Sequence, residues 1–331
     1  MDLPEIDLSK VHSSEEKQKL CHTLGEAASK YGFLTLIHHG IEEDQVRKSF
    51  ELARNFFSME LDYKMRFAKS RFRPRNSNSY RGYFPVLEED PSKKEGFEFG
   101  TCSKPHPEFP ETLTWPDVPG MQEHLMAMHF SLSMLGQRIL SLLSLYLGWP
   151  EDAFRSDFQD GMSTFRIIHY PSTATGASEG MTGSSADSPI RPATSHSSDT
   201  EHPSEDPGAE QRFSTPDHTD SGFLTLLFQD DCGGLEALSP AGTWVEVPPR
   251  PGAIVMNLGD ILSFMSDGKL KATRHRVRAP QRSRLSMPFF YEPKPLTKIP
   301  DVRQPDSRAT ITYAEFLREK ILSFGEYAKT R

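Results

Sequence analysis

Hydrophobic and polar positions along this chain change rhythm several times, and each rhythm predicts an element. Leu3-Pro4-Glu5-Ile6-Asp7-Leu8 alternates as a short edge strand, and Ser13-Ser14-Glu15-Glu16 supplies the hydroxyls and carboxylates of a helix start. That helix is predicted to run to about Lys30. Gly32 to His38 is an apolar, β-prone run, and His39-Gly40 turns it into a second helix reaching about Met59. Between Arg71 and Thr101 the chain is rich in Arg, Asn, Ser, Pro and Gly with interspersed aromatic residues, which predicts loops and short strands of the kind that border a ligand site. From Pro119 to Gly148, Leu125, Met128, Leu132, Leu135, Ile139, Leu142 and Leu145 recur at three- and four-residue steps, the stripe of one long amphipathic helix.

The second half reads differently. Thr164 to Tyr170 is β-like and stops at Pro171; the rhythm then disappears. Between Ser172 and Gln211, 22 of 40 residues are Ser, Thr, Pro or Gly, with no aromatic residue, Leu or Val, so apolar burial cannot offset ordering and a flexible insertion of about 172–211 is expected. Its His196 and His202 are poorly suited to hold a metal geometry. Beyond it, Phe223–Gln229, Trp244–Val247, Ala253–Leu258, Ile261–Met265, Thr273–Val277 and Leu285–Tyr291 are short β-like runs between Gly/Pro turns, a pattern of antiparallel sandwiches and barrels.

Composition narrows the function classes. The chain has 331 residues, 36 % of them hydrophobic, including 22 Phe and 9 Tyr, enough for a sizeable core. A formal net charge of -8 argues against nucleic acid or an acidic membrane as partner, and Arg71, Arg73 and Arg75 read as a solvated loop. Cys21, Cys102 and Cys232 form no CxxC pair, which fits a reducing compartment, and no run approaches ~18 consecutive apolar residues. A soluble, cytoplasmic protein is expected, as a monomer or weak homodimer.

Candidate chemistry centres on Thr215-Pro216-Asp217-His218-Thr219-Asp220. Positions two apart on an extended segment point to one face, so His218 and Asp220 can reach one ion. His275 follows 55 residues later in a β-like run, and Arg284-Leu285-Ser286 begins nine residues after that. Two imidazoles and one carboxylate on one face of an octahedron leave three adjacent positions open, the geometry of non-haem Fe(II) oxygenases. A keto acid can fill two positions and O2 the third. The far carboxylate of a bound dicarboxylic acid needs a fixed cation, and the fork of Arg284 suits it, with Ser286 on the same strand face and Tyr170 as a phenolic donor.

These residues resemble the isopenicillin N synthase-like branch of the Fe(II)/2-oxoglutarate-dependent oxygenases over nearly the whole chain. The resemblance is carried by Leu3-Pro4-x-Ile6-Asp7-Leu8, Gly32-Phe33, His39-Gly40-Ile41, Phe56-Phe57 and Lys64, then Tyr80-Arg81-Gly82-Tyr83, Trp115-Pro116 and Arg166-x-x-x-Tyr170-Pro171. Later come His218-Thr219-Asp220, Gly233-Gly234-Leu235, Gly259-Asp260, His275-Arg276-Val277 and Arg284-x-Ser286. It implies a mainly β fold with flanking helices: a double-stranded β-helix (jelly-roll) core, residues 116–331, capped by an N-terminal α/β region, residues 1–115. It also implies Fe(II) on His218, Asp220 and His275, with 2-oxoglutarate on Arg284, Ser286 and Tyr170, and O2 as co-substrate.

The implied activity is oxidation of a small molecule by hydroxylation, desaturation or ring formation, in secondary or amino-acid-derived metabolism. The segment Gly259 to Gly268 resembles microbial members that act on amino acids, which makes Glu88, Arg166 and Ser221 candidate contacts for a zwitterionic substrate, beside the aromatic Tyr83 and Phe290. The insertion is longer than the family usually carries, and Ile168 stands where many plant members have asparagine. An isopenicillin N synthase-type oxidase that uses no 2-oxoglutarate, and a non-catalytic jelly roll that binds small molecules, are the alternatives.

Overall fold

The structure is a computed structural model that describes residues 3–9, 11, 13–90, 92–101, 106–110, 113–172, 213–302 and 309–323. The expected insertion, Ser172 apart, lies outside the described residues, as do His196, His202 and Cys102. Strand β1 (Glu5–Asp7), helix α1 (Ser14–Lys30), strand β2 (Phe33–Ile37) and helix α2 (Glu43–Phe57) open the chain, and short helix α3 (Leu61–Lys64) leads to strands β3 (Gly82–Phe84) and β4 (Glu95–Gly100). Helix α4 (Met121–Tyr146) and short helix α5 (Arg155–Phe158) precede strand β5 (Thr164–Tyr170). Then come β6 (Phe213–His218), β7 (Leu224–Gln229), β8 (Leu235–Leu238), β9 (Trp244–Glu246), β10 (Ile254–Leu258), helix α6 (Asp260–Met265), β11 (His275–Arg278) and β12 (Arg284–Tyr291). Strands β13 (Lys298–Pro300) and β14 (Thr310–Thr312) and helix α7 (Tyr313–Ser323) follow.

The helix starts are where their chemistry places them. Ser13 is extended and its hydroxyl accepts from the Glu16 backbone N–H at 3.1 Å, so α1 begins with one orphan donor satisfied. Helix α4 follows the apolar stripe, burying Leu125, Met128, Leu132, Leu135, Ile139 and Leu142. The run Ile261–Met265 is a correction: expected as a strand, it is helix α6, entered from an extended Gly259. Five residues, four of them apolar, are too few to distinguish the two periods, and the Asp260 N–H bonded to the Asp220 carbonyl at 2.8 Å sets the turn.

Eight strands form the major sheet in the order β1-β2-β10-β7-β12-β5-β4-β3, and four form the minor sheet in the order β6-β11-β8-β9. The two sheets and flanking helices make a mainly β, double-stranded β-helix fold. Strict alternation on β12 gives the major sheet two different faces. Leu285, Met287, Phe289 and Tyr291 join the large core against the helices. Arg284, Ser286 and Phe290 turn the other way, toward the minor sheet. Between the sheets, Phe33, Leu227 and Val255 pack with Leu235, Ala237 and Val277, closing one end of the interior with apolar side chains. The fully buried Phe, Leu and Val side chains among them each contribute about 1.5–3 kcal/mol by leaving water. The other end carries the polar residues.

Candidate active site

The pairing of β6 with β11 places His275 directly opposite His218, with ring centroids 4.3 Å apart. Asp220, just past the end of β6, brings Oδ1 within 3.7 Å of both Nε2 atoms. The hydrogen bonds decide which lone pairs remain. His218 Nδ1 lies 2.9 Å from the Pro216 carbonyl and His275 Nδ1 3.2 Å from that of Thr273, so each Nδ1 carries the proton and each Nε2 keeps its lone pair. Asp220 Oδ2 accepts from the Thr225 hydroxyl at 2.5 Å and from Asn257 Nδ2 at 2.7 Å, which leaves Oδ1 for an ion. All three ligand atoms lie within 4.8 Å of one another. Two imidazole nitrogens and one carboxylate oxygen converging without a fourth protein ligand among the described residues are a donor set that fits Fe(II) with open positions.

Electrostatics favour this state. Burial, with His275 beside it, pulls the His218 imidazole below its ordinary value and keeps it neutral. Burial alone would raise the Asp220 carboxyl, but the two imidazoles, Asn257 and Thr225 outweigh it and hold the group below the usual carboxylate range. His275 and Asp220 are largely covered, whereas 39 % of the His218 side chain is exposed, so the cluster opens on one side.

Across the interior, β12 and β5 pair Arg284 with Tyr170 and Ser286 with Ile168. Arg284 is 2 % exposed; its Nε donates to the Gly233 carbonyl at 2.9 Å and its guanidinium lies 5.0 Å from the centre of the Tyr170 ring. Its Nη1 is buried without a hydrogen-bond partner. A buried, unpaired N–H of a guanidinium is costly unless an anion completes it, and the distal carboxylate of a dicarboxylic acid fits that need. Burial would raise the Tyr170 phenol, but the Arg284 charge, with Lys94 and the hydroxyls of Thr215 and Ser286, brings it below its ordinary value. Ser286 is buried beside them.

Further along the same face, Arg166 on β5 pairs with Glu98 of β4, and Glu98 also bridges the buried Lys69. The Arg166 guanidinium lies 5.6 Å from the Phe84 ring centre and 5.7 Å from that of Phe290, which stands opposite Thr225. Arg166, Phe290 and the hydrogen-bonded partner of Asp220 therefore adjoin. Gly96 makes room for Phe84, since a Cβ there would meet its ring at 2.4 Å. Ser221 is half-buried in the turn after Asp220.

Two predicted contacts lie elsewhere. Tyr83 points to the opposite face of the sheet, where its hydroxyl donates to Glu95 at 2.5 Å among Phe56 and Phe97, because it pairs with Phe97 while its neighbour Phe84 turns inward. Glu88 is exposed in a loop and its carbonyl accepts from Lys93. Among the other histidines, His169 bonds Glu95 on the outer face and His39 bonds the Gly252 carbonyl. Thr215, Thr225, Asn257, Phe84 and Glu98 carry no signal in sequence, since single polar or aromatic residues acquire these positions only through strand pairing.

The sequence profile of the 2OG-Fe(II) oxygenase superfamily matches residues 197–293, and that of the non-haem dioxygenase N-terminal region, named for morphine synthesis, matches residues 3–118. The chain belongs to the 2OG-Fe(II) oxygenase superfamily. This oxygenase is 28 % identical to a 2-oxoglutarate-Fe(II) type oxidoreductase of Emericella nidulans over 88 % of its own length and 80 % of that protein. It is equally 28 % identical to a 1-aminocyclopropane-1-carboxylate oxidase of Dictyostelium discoideum, over 90 % of this chain and 83 % of the relative. Its fold is that of a Neurospora crassa protein solved in complex with alpha-KG, with a TM-score of 0.75 at 22 % identity over 97 % and 96 % of the two chains. The oxygenase uses Fe(II), 2-oxoglutarate and O2 to oxidise a small molecule. Among the described residues, no helix is long and apolar enough to cross a membrane.

Proposed function

We propose that His218, Asp220 and His275 hold the iron, that Arg284, Ser286 and Tyr170 hold 2-oxoglutarate, and that Arg166, Phe290 and Ser221 contact an amino-acid-like substrate. The single observation that supports this most is the convergence of two Nε2 lone pairs and Asp220 Oδ1, each isolated by a hydrogen bond on the other atom of its group. When bound, the iron supplies redox chemistry with O2, for which the keto acid provides two electrons through its oxidative decarboxylation.

The protein's own contributions are positioning and charge. Arg284 Nη1, buried and unpartnered while Nε is held by the Gly233 carbonyl, suits a charge-assisted grip on the distal carboxylate, fixing which end of the keto acid faces the ligand cluster. Thr225 and Asn257 hold the Asp220 carboxylate ionised and turned. Phe84 and Phe290 flank Arg166 and limit its freedom, which favours a fixed pose for a substrate carboxylate. We also propose a cytoplasmic location in amino-acid-derived or secondary metabolism, in keeping with the free thiols of Cys21 and Cys232.

The test is reconstitution of the full chain with Fe(II), followed by succinate release from 2-oxoglutarate under O2. Release that requires iron, disappears in His275→Ala and rises with a free amino acid is expected. Release indifferent to these ligands contradicts the assignment.

A further inference from the structure

Glu292 immediately follows β12, and the alternation that turns Arg284, Ser286 and Phe290 toward the interior gives it the same face. Its side chain is deeply covered, at 9 % exposure. One oxygen, Oε1, accepts the hydroxyl of Tyr313 at 2.6 Å, while Oε2 is buried and has no hydrogen-bond partner. A brace between the barrel and α7 needs only the first bond. The second oxygen is an acceptor that nothing among the described residues fills, and a buried acceptor of this kind is completed by a donor from outside the chain, an ordered water or a ligand's N–H.

Three neighbours locate that donor. A Cβ on Gly222 would lie 3.9 Å from both Glu292 Oε1 and the Tyr313 hydroxyl, so the pair adjoins the half-buried Ser221–Gly222 turn that follows Asp220. Arg81, then Arg166 and Glu98, are near enough for their charges to act on Glu292. Arg81 is directed elsewhere, its guanidinium bonded to the carbonyls of Met162 and Ser163. Arg166 thus provides a place for a carboxylate and Glu292 a place for a cationic donor along one wall.

We infer that Glu292 receives the ammonium group of the substrate while Arg166 receives its carboxylate, so that the site selects a free α-amino acid. This rests on the reading of Arg166 as a substrate contact. It adds a residue and a requirement: both the charged amine and the charged acid must be present. Burial pushes the Glu292 carboxyl up to about 7, and an arriving ammonium would restore its ionised form.

The experiment is calorimetric binding of L-amino acids to the iron- and 2-oxoglutarate-loaded full chain without O2, followed by the N-acetyl and deaminated counterparts of each binder. A free amino acid should bind about tenfold or more tightly than either counterpart, as expected for one charge-assisted hydrogen bond. Glu292→Gln keeps the Tyr313 bond and removes the charge; it should abolish that discrimination while binding the deaminated acid as the wild type does. Discrimination that survives in Glu292→Gln, with only its melting temperature lowered, overturns the inference and leaves Glu292 a brace. If Glu292→Gln does not fold, Glu292→Asp decides by the same comparison, because it keeps the charge and withdraws it by one methylene. No amino-acid binding despite iron-dependent succinate formation overturns the substrate class alone, whereas absence of iron-dependent turnover overturns the proposed site as well.

Discussion

Asp220 divides its two oxygens between different tasks, and that division can be tested. Thr225 and Asn257 occupy Oδ2, leaving Oδ1 beside the two Nε2 atoms. Asn257→Ala should lower Fe(II) affinity about 10- to 100-fold without removing a ligand, as loss of an outer hydrogen bond does elsewhere; a metal titration measures it. Arg284→Ala should weaken 2-oxoglutarate by about 2 kcal/mol or more, because the incoming carboxylate loses a buried charge partner. Calorimetry with 2-oxoglutarate reads that directly. Two-residue spacing on extended chain puts His218 with Asp220, and Arg284 with Ser286, on common faces, whereas His275 is reached in the sequence only through its β-like run and the family resemblance. The face of Tyr83 is not legible, for a related reason: two aromatic residues stand side by side on β3, and only the pairing of Phe84 with Gly96 reveals which one faces Arg166.

At the scale of elements, strand β4 separates two buried ion-pair systems by alternation. Glu95 faces outward to Lys64, Tyr83 and His169, while Glu98 faces inward to Lys69 and Arg166. Neither lysine can be placed from sequence, because such pairs depend on which loop crosses the sheet. Gly96 lies between them under the Phe84 ring, so Gly96→Ala should cost about 1–3 kcal/mol through overpacking and should disturb the ring that flanks Arg166. Chemical denaturation gives the stability, and a weakened amino-acid affinity with unchanged 2-oxoglutarate affinity gives the site effect. Helix α6 shows the limit of periodicity: six residues between two turns carry no period, and the backbone bond from Asp260 to Asp220 that fixes them is non-local.

For the whole molecule, the long α4 can be read from periodicity and the jelly roll from the family resemblance, whereas α7 escapes because what ties it to the barrel, the Tyr313–Glu292 bond and the burial of Ala314, Phe316 and Leu317, joins segments far apart in sequence. That bond has a pH consequence. The Glu292 carboxyl is raised from 4.5 to about 7 by burial, so the fold favours its protonated form. This contribution is fully present below pH 4.5 and is lost as pH rises through about 7, on the order of 3 kcal/mol in all. Melting temperatures of the wild type should therefore fall relative to those of Glu292→Gln as pH rises across that window, and parallel curves would argue that the carboxyl is not desolvated.

Binding of a single iron by His218 and His275 of two paired strands and Asp220 just beyond the first is the claim on which the rest depends. Anaerobic titration of the full chain with Fe(II) measures it: one equivalent should bind, and Asp220→Ala and His275→Ala, still folded by their melting transitions, should each bind none tightly. Undiminished iron binding in either folded variant would contradict the account.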